Sequence, residues 1–294
     1  MNNIFESHES EYQVQPQIVV STPGRFHLIG EHSWFCKDKT LSMAVNLPVY
    51  VAISLRNDAN IHFYFAQLNE RKKISLSSLK YRKEDRWANA IKAMIYGFTS
   101  GGFELCGMNI TVSSDILPSA GFGITSAIKA GSAFAIRALF DFSTCSDVQL
   151  LQVIERGNRL FLKQENLAAD AFTALFSKAG CAVFTDYGTA SYDVVPLSFP
   201  DKKILLTDAK VPRFSVWNED ALRQPENVLL LGELKERKGG IYGGWQYEEN
   251  PTEVNEVLNI VTEDMRRRIE RFGIRGFTFC GYPVCLWDLF GEKG

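Results

Sequence analysis

The chain has no Cys-x-x-Cys pair among its six cysteines, Cys36, Cys106, Cys145, Cys181, Cys280 and Cys285. This spacing argues against a structural zinc site and against a small disulfide framework, and it fits a reducing, cytoplasmic compartment. A formal charge of −2 over 294 residues supplies no field to attract nucleic acid or an anionic membrane. No run of about 18 uninterrupted apolar residues occurs, so no membrane-spanning helix is expected. The first sixteen residues carry Glu6, His8, Glu9 and Glu11 and are too polar for a secretory signal. The Gly-Lys-Ser/Thr ending of a P-loop is missing, as is Gly-x-Gly-x-x-Gly. There is no internal repeat and no low-complexity tract.

What remains is globular. The 46% hydrophobic and 22% charged fractions are ordinary for a packed domain, and the length suits one large domain or two smaller ones. Residues 17–20, 47–55 and 61–65 read as strands from their β-branched and aromatic content, and the charged stretch 68–86 reads as a loop. A helix is expected over 85–98, with Asp85 as N-cap and Trp87, Ile91, Met94, Ile95 and Phe98 inward. By periodicity Trp87 is a core residue before it is a ligand contact. A strand at 108–112, helices over 124–140, 147–162 and 167–177 (with Asn166 as N-cap), and strands at 181–185, 191–197 and 203–207 follow. Beyond residue 200 the composition turns loop-rich, with helices near 224–236 and 252–272 and strands at 277–279 and 284–290. A domain boundary is placed near 200–203.

Three features carry chemistry. Ser21–His32 packs an arginine, two histidines and a glutamate around a Pro-Gly pair beside an apolar strand. Loops on a rigid scaffold concentrate binding groups, although a Pro-Gly turn with charges facing water explains the stretch equally well. Gly121-Phe-Gly-Ile-Thr-Ser126 opens directly into a small-residue helix, so free backbone N–H groups and the positive dipole end make an anion site. Close packing alone would also account for its glycines. Asp170 is the single charge in the first turns of its helix, where it could serve only as a dipole partner.

Three separated stretches together resemble the GHMP kinase superfamily, and galactokinases in particular. Pro23–His32 is similar to the family signature Pro-Gly-Arg-Val-Asn-Leu-Ile-Gly-Glu-His. Arg86-Trp-Ala-Asn-Ala-Ile-Lys92 resembles the Arg-Trp-Ala-Asn-Tyr-Val-Lys helix, and Gly121–Ser126 stands where the ATP loop belongs. A fourth stretch, Ala169-Asp-Ala-Phe-Thr-Ala-Leu175, resembles the segment holding the catalytic aspartate. The similarity runs from about residue 17 to 210. It implies an α+β protein of GHMP kinase fold: an N-terminal ribosomal-protein-S5-domain-2-like domain over 1–202, binding ATP and sugar, and a shortened ferredoxin-like C-terminal domain over 203–294.

The resemblance further implies ATP-dependent phosphorylation of galactose or a related hexose at the anomeric hydroxyl, with Mg2+ as cofactor. Asp170 and Arg25 would be catalytic, and Glu31, His32 and Trp34 would meet the sugar. Trp87 and residues Gly121, Phe122, Gly123, Ile124, Thr125 and Ser126 would hold ATP. Ser126, with Glu155 or Asn158, would approach the metal ion. Small-molecule sugar and ATP are the expected partners, with neither nucleic acid nor membrane. Several positions depart from the family. Trp34 replaces a sugar-binding Asp, Asn158 falls where a metal-binding Glu belongs, Ala127 replaces the last loop serine, and Leu167 replaces a glycine. A glycine-rich C-terminal motif survives only as Gly276–Pro283. A second reading is therefore a catalytically impaired homologue acting as a sugar or nucleotide sensor, or as an interaction protein.

Overall fold

The structure is a computed structural model and describes residues 2–30, 39–116, 121–164, 168–197, 277–279 and 282–284. In chain order the elements are α1 (Asn2–Tyr12), β1 (Ile18–Ile29), β2 (Lys39–Leu55), β3 (Asn60–Phe65), β4 (Glu70–Ser75), α2 (Ala88–Thr99), β5 (Met108–Ser114) and α3 (Ile124–Leu139). Then come α4 (Asp147–Arg156), a π-helical turn (Gly157–Leu162), α5 (Ala168–Phe176), β6 (Cys181–Asp186), β7 (Ser191–Pro196), β8 (Phe277–Phe279) and β9 (Tyr282–Val284). The helices expected near 224–236 and 252–272, the strand at 203–207, Asn166 and the boundary at 200–203 all lie outside the described residues.

Two compact units divide the chain. One comprises Met1–Phe26, Met43–Leu162 and Asp170–Cys181, and the other His27–Ser42, Lys163–Ala169 and Ala182–Gly294. In the first unit the strand order is β4-β3-β5-β2, with β1 also on β2. β3 and β5 run parallel, Phe63 opposite Ile110, and β2 and β5 run antiparallel, Val51 opposite Val112. In the second unit Lys39–Ser42 of β2 pair with β6, which carries β7.

Alternation along these strands sorts their side chains into two layers. Val49, Val51 and Ile53, Ile61, Phe63 and Phe65, and Met108, Ile110 and Val112 join one buried cluster with Ile91, Met94, Ile95 and Phe98 of α2 and with Ile128 and Ile136 of α3. The alternate residues Ser54, Asn109 and Thr111 are polar and also buried, because α1 covers them. His8 of α1 is fully buried and bonds through Nδ1 to Thr111 Oγ1 and through Nε2 to Ser54 Oγ, both at 2.9 Å. The Tyr12 hydroxyl donates to Ile110 O (3.2 Å), and Arg71 of β4 clasps Glu11 with two bonds of 2.7 and 2.6 Å.

Several sequence expectations shift. The apolar run at 17–20 does not end in a loop, for β1 continues through the Pro-Gly pair to Ile29. The next strand begins at Lys39 rather than 47. The charged stretch contains β4, whose Glu-Arg-Lys-Lys run lacks apolar alternation because it lies at the sheet edge, where charges guard against unwanted pairing. Asp85 is not the cap of α2: Trp87 holds that position without a side-chain bond, and Asp85 sits in a short 3₁₀ turn paired to Lys92 Nζ at 2.7 Å. The helix over 147–162 starts on a capping box, Ser146 with Gln149. It changes to π at Gly157, where an added Cβ would collide with Ala93 O of α2.

Burial of His8, which has no acidic partner among the described residues, lowers its pKa from 6.5 to about 4. The unfolded chain therefore takes up a proton at this site between about pH 6.5 and 4 while the folded chain does not, so stability falls as pH falls through that window. The slope due to His8 is bounded by one proton, about 1.4 kcal/mol per pH unit. Thermal denaturation of wild type and His8→Gln should show a wild-type advantage near pH 7 that shrinks steadily towards pH 4.5.

Candidate functional site

The stretch from Thr22 to Arg25 is clamped between α3 and the loop that precedes it. Thr22 Oγ1 donates to Ala127 O (2.8 Å), and a Cβ on Gly131 of α3 would stand 2.9 Å from that hydroxyl, so strand and helix touch without spacers. Arg25 N donates to Phe122 O at 2.8 Å. A Cβ on Gly24 would meet the same carbonyl at 2.9 Å, and Ile116 Cδ1 and Val45 Cγ2 at 3.0 Å. Only glycine lets the loop lie this close to the strand.

The Arg25 side chain then reaches Asp170, 145 residues away in sequence. Nε donates to Asp170 Oδ1 at 2.7 Å and Nη2 to Oδ2 at 3.3 Å, a two-pronged charge-assisted pair. The third guanidinium nitrogen, Nη1, donates to Gly121 O at 3.0 Å. Ser126 Oγ adds a further donor to Asp170 Oδ2 at 2.7 Å. The pair is nearly closed to water, with side-chain exposures of 16% for Arg25 and 7% for Asp170. At such burial, truncating one partner strands the other charge, which costs about 3–5 kcal/mol.

Gly123 occupies the cap position of α3 in the left-handed region (φ +69°) without a side-chain bond. The first amides of α3, at Ile124, Thr125 and Ser126, precede the first intrahelical bond, Ala127 N to Gly123 O at 2.9 Å. They point out of the helix start and suit an anion. Thr125 is exposed, and Phe122 is half-buried against Phe26. The structure thus gathers Arg25, Asp170, Ser126 and the loop Gly121, Phe122, Gly123 and Ile124 into one polar cluster.

Other expected residues lie elsewhere or undescribed. Glu31, His32 and Trp34 are outside the described residues. Trp87 is half-buried, with Nε1 donating to Glu70 Oε2 at 2.8 Å. Glu155 is exposed on α4, whereas Asn158, in the π turn, is 5% exposed and its Oδ1 has no hydrogen-bond partner among the described residues. Sequence reasoning missed Glu70, hidden in a run of charges, and the role of Ser126 as a donor to Asp170, which no local pattern announces.

The galactokinase galactose-binding signature matches residues 6–55, the span of the α1 C-terminal half, β1 and β2. A Treponema pallidum protein named "Putative galactokinase" is 38% identical over 223 residues, 76% of this chain and 56% of that one. The galactokinase of Thermotoga maritima is 30% identical over 218 residues, 74% of this chain and 60% of that one. Lactococcus lactis galactokinase, solved with galactose, superposes with a TM-score of 0.66 at 17% identity, over 92% of this chain and 73% of the other. Over about three quarters of its length this chain is similar in sequence to galactokinases, and it shares their fold.

Its fold is accordingly the expected α+β GHMP kinase fold. The chain spans little more than half the length of the two curated galactokinases, 56% and 60%. Towards the C-terminal end, β8 and β9 form a small antiparallel pair with Thr278 opposite Pro283, and the other residues beyond 197 lie outside the described residues. No helix among the described residues is long and apolar enough to cross a membrane.

The loop geometry yields a direct test. A Cβ at Gly123 would stand 2.9 Å from Arg25 Cγ, in addition to the strain of φ +69°. At Gly102, φ is +86° and an added Cβ meets nothing within 4 Å. Gly102→Ala should lose about 1 kcal/mol in urea denaturation from backbone strain alone, and Gly123→Ala about 2–3 kcal/mol, because Arg25 must also move.

Proposed function

We propose that this chain binds ATP and a hexose of the galactose class and transfers the terminal phosphoryl group to the sugar's anomeric hydroxyl. The observation that carries the reading is the convergence of Asp170, Arg25 and Ser126 on the glycine loop that opens α3. Phosphoryl transfer needs mainly positioning and charge neutralisation, which a carboxylate, a guanidinium and a row of amides supply together. In this reading Asp170 lies beside the anomeric hydroxyl as base or negative partner. Arg25 holds Asp170 and balances the transferring group, the amides of Ile124, Thr125 and Ser126 take phosphate oxygens, and Trp87 lines the adenine side.

Glu31, His32 and Trp34 take the sugar. The Trp34 indole can donate a hydrogen bond but cannot accept one from a hydroxyl, so sugar preference differs from that of relatives with Asp there. Mg2+ fits the available donors in part. The orphaned Asn158 Oδ1 and the Ser126 hydroxyl are oxygens of the kind a hard cation takes, but neither is charged. No group of three or more His, Cys, Asp or Glu able to hold a metal occurs among the described residues. The ion would rest chiefly on the nucleotide's own phosphates and neutralise charge there. The division into an ATP- and sugar-binding part over 1–202 and a C-terminal part over 203–294, and a cytoplasmic setting, belong to the same reading.

The neutral Asn158, where the family resemblance puts a metal-binding glutamate, favours a second reading: a sensor that binds sugar or nucleotide without turnover. ADP release from ATP and Mg2+ across a panel of hexoses separates the two. Turnover with at least one hexose is expected, falling roughly 10²- to 10⁴-fold in Asp170→Asn. Saturable sugar binding by calorimetry without turnover for any sugar would leave the sensor. Turnover indifferent to Asp170→Asn would remove that residue from the chemistry.

A further inference from the structure

We infer that Glu70 is a positioning residue that sets nucleotide affinity by holding the Trp87 indole, an inference resting on the reading of Trp87 as the adenine-side wall. The β3–β4 hairpin ends in the cross-strand pair Phe65 opposite Glu70. Directly opposed residues project from the same face of a sheet, so these two side chains are neighbours. Both grip the same ring. Phe65 meets the Trp87 indole edge-on, with centroids 5.2 Å apart and planes at 81°, and Glu70 Oε2 accepts from Nε1 at 2.8 Å.

The second oxygen of that carboxylate is also used. Glu70 Oε1 accepts from Arg86 Nη1 at 3.3 Å. Arg86 has φ +42° and ψ −115°, a backbone conformation that side-chain-bearing residues rarely adopt. Such strain persists only where surroundings over-determine it, and it gathers at ligand clamps and switches. The surroundings here do so. Lys72, two residues along β4, donates to Glu84 O at 2.9 Å. The buried Lys92–Asp85 pair and the Asn89 amide, bonded to Arg82 O at 2.7 Å, hold the segment from the side of α2. The whole turn from Arg82 to Trp87 is therefore fixed from both flanks.

Such rigidity has a consequence for binding. A large aromatic wall held in one orientation spares a ligand the entropy of ordering it. Of the groups that hold the indole, Glu70 is the one that can be removed with little damage: its side chain is 31% exposed, whereas Phe65, Asp85 and Lys92 are buried.

The test uses the full chain with Trp87→Ala, Glu70→Ala and Glu70→Gln, reading the Kd for ATP with Mg2+ by calorimetry and the split between KM for ATP and kcat. Trp87→Ala should weaken ATP about tenfold. Glu70→Ala should weaken it about fivefold, with KM for ATP rising to match and with kcat and the sugar KM within twofold. Glu70→Gln, whose amide oxygen still accepts from the indole, should recover most of the loss. A Glu70→Ala chain that binds ATP like wild type while Trp87→Ala does not would overturn the positioning role. Unchanged affinity in Trp87→Ala would instead overturn the adenine-side reading and the inference with it. Should the unsubstituted chain bind no ATP, the affinity claim fails. The Trp87 contribution to emission, taken as the difference from Trp87→Phe, then decides separately whether Glu70 holds the ring, a red shift in Glu70→Ala supporting it and none refuting it.

Discussion

The bidentate pair between Arg25 and Asp170, at 2.7 and 3.3 Å, ties together three segments that are remote in sequence. Arg25 comes from β1, Asp170 from the first turn of α5, and the third arm of the guanidinium holds Gly121 O at the glycine loop. A guanidinium is a planar fork with donors in fixed directions, so satisfying a carboxylate and a carbonyl together leaves the side chain little freedom. The loop and the carboxylate are consequently placed relative to one another before any ligand arrives. Preorganisation of this kind is what electrostatic stabilisation of a transferring group demands.

That pair depends on a backbone contact which side chains would have prevented. Gly24 and Gly131 let β1 approach the glycine loop and α3, while Thr22 bonds to Ala127 O. The apolar cluster shared by β2, β3, β5, α2 and α3 supplies the bulk burial energy. The opposite face works by different means. There α1 settles on a polar layer of Ser54, Asn109 and Thr111 through His8. Directional bonds in a water-poor layer specify one docking of that helix, whereas an apolar face would tolerate several.

Locally, each part of the candidate site also had a purely structural explanation. The Pro-Gly-Arg run, the glycine loop and Asp170 each carried a residue type suited to anions or to charge, in the order a galactokinase resemblance requires. The edge strand β4 was not legible, because charged residues on an edge erase the alternation by which strands are recognised. The cap of α2 was misassigned for a related reason. Asp85 has the chemistry of a cap, but a buried Lys92 seven residues on competes for it and wins through a charge-assisted bond. The extension of β1 through Pro23 and Gly24 ran against turn propensity, and tertiary packing overrode it.

Sequence by itself determined the residue chemistry and the resemblance to GHMP kinases, because motifs such as Pro23–His32 and Arg86–Lys92 are contiguous and need no folding to be read. Tertiary structure alone decided which groups face one another. Ser126 donates to Asp170, and Glu70 divides its two oxygens between Arg86 and Trp87. Asn158 lies buried while Glu155, one turn before it, stays in water across the change from α to π. Those partnerships depend on distances between segments far apart in the chain, and such distances are set by packing rather than by any local preference.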